Sequence, residues 1–491
     1  MIVLRVSWLP AVVALLIPVG PSFAAAAQYD VNVDALARDV DLLTAPFVIT
    51  DIARPSLPVA IGDDEAVAKL ASDALVSQVA EAVRTHPQAQ AAAERRAEAG
   101  YAVRAVQADL YPKVDAGVDL LGNWTNRTPL GGGQQKIPRQ ALYRPDAYVS
   151  VEQLLFDGGA TFSRIAAARH RTDASVAEAE IAATAVAVRA IAAYWEVLRL
   201  RGAVELAEAN VAAHAVLLER VSVRVAAGAA SEGDRLRAEA RTNSAHSHAF
   251  VVKGALGRAT AEYAAVFGAP PLATLAWPTI TPNLGNDVNR VLTRALAINP
   301  NLHARESGVE AARKDAAADQ AHHWPTVSLA ANARRYDVLD RDQRLYDAGA
   351  QVIVRYRLFS GGGRAAESAQ SRSRLRQAEL LRDLERRELE SEVRAAMADV
   401  TTRDLEFGAS LRTAETSQQT YAVYVEQYGV GRRSLDDLLD ALNEAYLAAG
   451  QLLQTRVEVD VARYALLART GDLLGLLNAA LVSGKSSTRS N

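Results

Sequence analysis

The sequence predicts a mainly α-helical protein with a membrane β-barrel contribution: a long α-helical coiled-coil barrel plus four β-strands per protomer. Two helical patterns, 160–226 and 363–427, run much further than an ordinary globular helix. Four short segments alternate apolar and polar residues, as half-buried strands do. The order of these elements occurs twice, so we expect two tandem structural repeats.

The composition excludes several classes of function. The 491 residues carry a formal net charge of −3 with both signs interspersed, so nothing indicates a nucleic-acid partner. There is no cysteine, which excludes disulfides, thiolate metal sites and lipid attachment through an N-terminal cysteine. His246 and His248 are two positions apart on a predicted helix and do not share a face. No nucleotide-binding or hydrolase motif is present, so we expect no enzyme activity, no cofactor and no metal site.

The N-terminal residues predict export. Residues 1–27 combine Arg5, the apolar stretch 9–19 and small residues before Gln28, which is typical of a secretory signal peptide. No later segment approaches 18 continuous apolar residues, so we expect no transmembrane helix, and any membrane-inserted part must be a β-barrel. Residues 28–72 show no sustained periodicity and are predicted to be an extended N-terminal segment.

The first repeat, residues 73–271, is predicted to contain a helical region, two strands, a long helix and a second helix. These elements are expected at 73–110, 114–121, 148–156, 160–226 and 231–267. The long helix, about 67 residues at about 1.5 Å each, would measure roughly 100 Å. Residues 272–286 are rich in proline and glycine and are predicted to be a linker.

The second repeat, residues 287–470, has the same order. Tyr111-Pro112 recurs as Trp324-Pro325, 213 positions later, and Phe156-Asp157-Gly158-Gly159 recurs as Phe359-Ser360-Gly361-Gly362, 203 positions later. Its strands are expected at 327–333 and 352–358 and its last helix at 434–470. Residues 471–491 are predicted to be a C-terminal tail, of which the last part, 483–491, is small and polar.

The two predicted hairpins each have an apolar face with nothing in the sequence to cover it. Arg355 and Arg357 alternate with Val354 and Tyr356, which predicts one wet face and one apolar face. Aromatic residues cluster at the strand ends, as in the girdle of outer-membrane barrels: Tyr111, Trp124, Tyr148, Trp324, Tyr336 and Tyr346. Since known barrels need about eight strands or more, several copies must contribute to one barrel.

Each long helix is followed by an elbow, a glycine with a serine three positions later. The paired residues are each 203 positions apart: Gly228 and Gly431, Ser231 and Ser434, Asp234 and Asp437. The glycine is suited to a left-handed C-cap and the serine to the next N-cap. Asp234 and Asp437 fit both a capping box and a gating role. Asp440 lies one turn further and cannot cap, which favours gating or ion binding.

The order of elements, the duplicated halves, the two Phe-x-Gly-Gly strand ends and the segment Tyr428–Ala441, YGVGRRSLDDLLDA, resemble the TolC family of outer-membrane efflux and secretion proteins. The resemblance extends from Asp73 to Thr470. It implies a homotrimer with one shared barrel in outer-membrane lipid and a helical tunnel through the periplasm. It also implies a periplasmic adaptor (membrane fusion protein) and an inner-membrane pump, ABC or proton-driven, for type I protein secretion or multidrug efflux.

The resemblance further implies a periplasmic gate at the elbows. Asp437 and Asp440 match the family's ring aspartates. Tyr428 and Arg433 match the tyrosine and arginine of its latch, and Asp234 matches the acid that they engage. The family usually has a hydroxyl-bearing residue where this chain has Gly233, which leaves open whether one hydrogen bond of the latch is altered. The alternative hypothesis is a periplasmic structural coiled-coil or adaptor protein, which predicts a soluble mature chain instead of detergent-dependent trimers.

Overall fold

A computed structural model of the chain describes residues 47, 57–60, 69, 73–124, 141–278, 280–339 and 345–479. The predicted signal peptide and most of the predicted N-terminal segment lie outside these residues. So do the segments 125–140 and 340–344 between paired strands and the end of the C-terminal tail.

The described chain has the predicted mainly helical fold. The elements are β1 (Leu57–Ala60), α1 (Ala74–Thr85), α2 (Pro87–Gln107), β2 (Lys113–Trp124), β3 (Ala141–Phe156), α3 (Ala160–Ala226), α4 (Glu232–Phe267), β4 (Ile280–Asn283), α5 (Val288–Ile298), α6 (Pro300–Ala321), β5 (Thr326–Arg335), β6 (Tyr346–Arg355), α7 (Gly363–Gly429) and α8 (Leu435–Thr470). Helices α3 and α7 both have 67 residues, and α4 and α8 both have 36. The predicted tandem repeat is therefore confirmed.

Several element bounds differ from the expectation. The first helical region is two helices, because Pro87 begins α2 and His86 caps it through its side chain. Strand β3 begins at Ala141, earlier than the alternation indicated, and β6 ends at Arg355. The predicted linker contains β4, which pairs in parallel with β1. That pairing joins residues more than 200 positions apart, which no local pattern reveals.

Helix α3 contains an 18-residue window with a mean hydropathy of 1.5, so by length and composition it passes as a membrane span. Half of that window is buried inside the protomer. The helix packs along its length against α2, α4, α6 and α8. We therefore interpret α3 as a core helix of the coiled coil, whose alanine-rich surface lets its neighbours approach closely.

The two hairpins form one four-stranded antiparallel sheet in the order β2-β3-β5-β6. Its register places Val114, Val151, Ala331 and Ala350 in one row across the sheet. The neighbouring row contains Asp115, Ser150, Asn332 and Gly349. Because side chains alternate between faces, the first row lies on an apolar face and the second on a polar face, as the sequence predicted.

The apolar face of this sheet is exposed in the part of the chain that the structure describes. Val118 on β2 is 68% exposed and Val352 on β6 is 61% exposed. Such a continuous apolar surface marks a contact with lipid or with another chain. The polar face carries an ionic cluster instead: Arg334 lies 3.1 Å from Asp119 and 3.5 Å from the buried Asp146.

Two large buried clusters hold the helices together. The first, around Tyr194, Trp195 and Tyr464, joins the middle of α3 and the second half of α8 to the short helices α1 and α5. The second, which we term the coiled-coil cluster, joins α3, α4, α7 and α8 nearer the elbows. Its members are Phe47, Leu206, Ala213, Leu217, Val221, Ala238, Tyr421, Leu435, Leu438, Leu439, Ala441, Leu442, Ala445, Ala449 and Leu453.

Candidate gate at the helix elbows

The two elbows have the same backbone geometry. Gly228 and Gly431 adopt left-handed φ angles of 71° and 74°. Just after them, the N–H of Ala229 donates to the carbonyl of Arg224 at 2.7 Å, and the N–H of Arg432 donates to the carbonyl of Gln427 at 2.8 Å. This is the glycine-terminated helix end that the sequence predicted. A residue with a Cβ at either glycine would be strained.

Both capping boxes form. Ser231 Oγ accepts the N–H of Asp234 at 3.1 Å, and the Asp234 carboxylate accepts the N–H of Ser231 at 3.1 Å. In the second elbow, Ser434 Oγ accepts the N–H of Asp437 at 3.1 Å, and the Asp437 carboxylate accepts the N–H of Ser434 at 3.3 Å. These bonds lower the pKa of both carboxyl groups: the backbone hydrogen bond from Ser231 contributes most for Asp234, and the side-chain hydrogen bond from Ser434 contributes most for Asp437. Asp234 and Asp437 thus have a structural role in each protomer.

The latch arginine, Arg433, has its partners within its own elbow. The Arg433 guanidinium lies 4.3 Å from the centroid of the Tyr424 ring, and its Nε donates to Gln427 at 3.1 Å. Arg433 also lies 3.8 Å from the carboxylate of Asp437.

Tyr428 is covered by an arginine of the other elbow. The Arg224 guanidinium lies 4.8 Å from the centroid of the Tyr428 ring and donates to the Tyr428 carbonyl at 3.1 Å. Burial raises the pKa of Tyr428, nearby Arg224 lowers it, and Asp234 adds a smaller increase. Among the described side chains of one protomer, the charge of Asp234 thus acts on Tyr428. Arg433 instead contacts Tyr424 and Gln427. The Asp234–Arg433–Tyr428 latch stays a prediction for the assembled protein.

Helices α4 and α8 share a set of contacts, which we term the α4–α8 seam, that was not predicted from the sequence. Arg237 forms an ion pair with Asp436. One turn further along both helices, Nη2 of Arg241 lies 3.7 Å from Oδ1 of Asp440. The predicted ring aspartate Asp440 therefore faces an arginine in the protomer. The available signal was two arginines four positions apart on one helix and two aspartates with the same spacing on the other.

A buried histidine lies next to the seam. His214 of α3 is buried, and burial together with the nearby charge of Arg241 lowers its pKa to about 4. Its Nδ1 has no hydrogen-bond partner among the described residues. The histidine is therefore held in its neutral form at neutral pH.

The fold and the elbows together define a channel-forming protomer: paired long helices that end in capped elbows, continued by a sheet with one apolar and one polar face. Residues 79–269 and 291–472 match the family model of outer membrane efflux proteins, and the chain belongs to this family. Members of this family are transport channels of the outer membrane. This chain therefore functions as a channel-tunnel for export, in efflux or type I secretion.

Individual relatives agree with the family assignment. The chain is 27% identical over 346 residues to the outer membrane efflux protein BepC of Brucella suis, covering 68% of this chain and 75% of BepC. It is 25% identical over 388 residues to the protein CyaE of Bordetella pertussis, covering 77% and 79%. The fold matches the crystal structure of the outer membrane protein VceC of Vibrio cholerae with a TM-score of 0.70 and 17% identity, covering 81% of this chain and 96% of VceC.

Proposed function

We propose that three copies of this chain form one outer-membrane channel, whose helical tunnel receives cargo from an inner-membrane pump through a periplasmic adaptor. The signal peptide at residues 1–27 would direct the chain across the inner membrane. The channel itself is passive: the pump supplies the energy, and the gate at the elbows controls access.

The free edges of the four-stranded sheet carry this proposal. Within the described sheet, β2 and β6 each have a neighbour on one side only. In lipid every unpaired backbone group costs several kcal/mol, so an open sheet edge is not tolerated in the hydrocarbon region. Pairing β6 of one copy with β2 of the next satisfies both edges, and three copies close a ring of twelve strands in all, above the minimum of about eight.

The apolar face supports the same arrangement. In a closed ring the row with Val114 and Val151 faces lipid, and the row with Asp115 and Ser150 faces a water-filled lumen. Three copies of α3, α4, α7 and α8 would then continue the barrel as a tunnel. Its elbow end is narrowed by the carboxylates of Asp437 and Asp440.

Opening of the gate is proposed to separate α8 from α4. The seam pairs Arg237–Asp436 and Arg241–Asp440 and the stacking of Arg224 on Tyr428 would hold the two elbows together in the closed state. Adaptor binding would favour the separated arrangement by contacting it more strongly than the closed one. The pump would determine the exported cargo, which is a secreted protein, a polysaccharide-related molecule or a small toxic compound.

The experiment is to purify the mature protein from membranes and test it in two ways. We expect heat-modifiable trimers on electrophoresis, and small channels in planar bilayers that a divalent or trivalent cation blocks, because a ring of carboxylates attracts cations. A soluble mature protein that forms no channels would contradict the proposal and support the periplasmic coiled-coil alternative.

A further inference from the structure

In the sequence, Phe47 precedes the residues that match the family model, which begin at residue 79. In the structure it is nevertheless inserted between the coiled-coil helices. Its side chain is only 2% exposed and belongs to the coiled-coil cluster. Its carbonyl accepts a hydrogen bond from Nε2 of Gln418 on α7 at 3.1 Å. Its ring packs against Tyr446 on α8, with 5.9 Å between ring centroids. One residue therefore contacts both helices of the α7–α8 pair.

Tyr446 in turn contacts the other helix pair. Its ring meets His248 of α4 edge-on at 5.7 Å, and its hydroxyl forms a hydrogen bond with Nδ1 of His248 at 3.0 Å. His248, for which the helical spacing predicted no metal role, makes this contact instead. The chain of contacts Phe47–Tyr446–His248 thus crosses from α7 and α8 to α4.

This contact is the third connection of the α4–α8 seam. Arg237–Asp436, Arg241–Asp440 and His248–Tyr446 follow one another along the two helices in the same order. The two ion pairs have side chains that are 52–75% exposed. His248 is also exposed, but Tyr446 is half-buried against the coiled-coil cluster, and its ring packs on both Phe47 and His248. Exposed ion pairs contribute little, whereas aromatic pairs also gain from ring geometry. Of the three connections, the aromatic contact is therefore the one that is tied to the buried core.

We propose that Phe47 is a positioning residue for the gate: it holds Tyr446 against His248 and thereby fastens α8 to α4 in the closed state. The proposal rests on the proposed function, since the seam must separate when the channel opens. Without the Phe47 ring, a cavity beside Tyr446 lets that side chain turn away from His248, because a void leaves its lining without contacts. The seam then depends on the two exposed ion pairs alone.

The test is planar-bilayer conductance of the full mature chain carrying Phe47→Ala. We expect a several-fold rise in closed-state conductance for Phe47→Ala and a smaller rise for Phe47→Leu. Tyr446→Phe should give a moderate rise, because it keeps the ring but loses the hydrogen bond to His248. Phe250→Ala is the matched control, since Phe250 lies on α4 but is 68% exposed. It should behave as wild type.

A double-mutant cycle separates positioning from general loosening of the core. If Phe47 acts through Tyr446, Phe47→Ala adds nothing to the conductance of Tyr446→Ala. Equal increments in both backgrounds, or wild-type conductance in Phe47→Ala, would overturn the inference. If Phe47→Ala does not assemble, unchanged conductance in both Phe47→Leu and Tyr446→Phe would overturn it. Absence of channels from the wild type would instead reject the proposed function.

Discussion

At the residue scale, the capping serines determine where each elbow helix begins. Ser434 Oγ satisfies the N–H of Asp437, and replacing an N-cap serine by alanine costs about 1 kcal/mol of helix stability. We predict that Ser434→Ala lets the start of α8 fray, which weakens the seam at Asp436 and raises closed-state conductance. Ser231→Ala at the matching position on α4 is the comparison. Closed-state conductance equal to wild type in both variants would show that caps and gate are independent.

The stability of the helix cap at this elbow depends on pH in a defined way. The pKa of Asp437 is lower in the folded protein than its ordinary value of 3.8, so its support for the cap is complete above that value and is lost as the pH falls through the folded pKa. We predict that hydrogen exchange of the first turn of α8 accelerates only in strong acid. Asp437→Asn should show fast exchange at neutral pH as well, since the amide binds the N–H of Ser434 more weakly than a carboxylate does.

The contribution of His214 to stability changes at a less acidic pH than that of Asp437. Its folded pKa of about 4 lies below the ordinary 6.5, so the unfolded chain binds a proton first as the pH falls. Stability is therefore complete above pH 6.5 and decreases as the pH falls towards 4. We predict that the thermal unfolding temperature falls over this range and that His214→Phe flattens the dependence. A wild-type dependence retained in His214→Phe would assign the effect to other groups.

At the element scale, the seam should respond to charge in a reversible way. Arg237→Asp places like charges opposite Asp436 and should raise closed-state conductance. Arg237→Asp combined with Asp436→Arg restores opposite charges and should return conductance towards wild type. Failure of the double variant to recover, with intact trimers, would mean that the ion pair is absent from the assembled gate.

The elements themselves were largely predictable. Local patterns place α3 and both elbows, because glycine caps, serine caps and helical periodicity each depend on near neighbours. Because the chain is a tandem repeat, each of these local patterns occurs twice in the sequence. What the sequence could not supply is pairing between distant segments: β1 with β4, Phe47 with Tyr446, and Arg241 with Asp440. These contacts depend on how the helices pack, and single side chains offer many equivalent partners before that packing is known.

At the scale of the whole molecule, the sheet must present different chemistry to lipid and to the lumen. Val352 lies opposite Leu329 on the apolar face, and its neighbour Gln351 lies opposite Ala330 on the polar face. We predict that Val352→Arg strongly reduces the yield of membrane-inserted trimers, since arginine facing lipid costs about 2–4 kcal/mol per copy near the middle of the bilayer. Gln351→Arg, one position away, should assemble normally. Equal yields would place this surface outside the membrane.

The two hairpins of the duplicated halves differ in length. The distance between corresponding positions falls from 213 at Val114 and Val327 to 203 at Phe156 and Phe359, while the paired long helices keep identical lengths. Evolution has therefore already changed the length of one hairpin without altering the tunnel. In the proposed orientation each hairpin connects its two strands on the side of the membrane away from the tunnel. The length of that connection can therefore change without disturbing the elbows, and a foreign peptide inserted there should leave export intact.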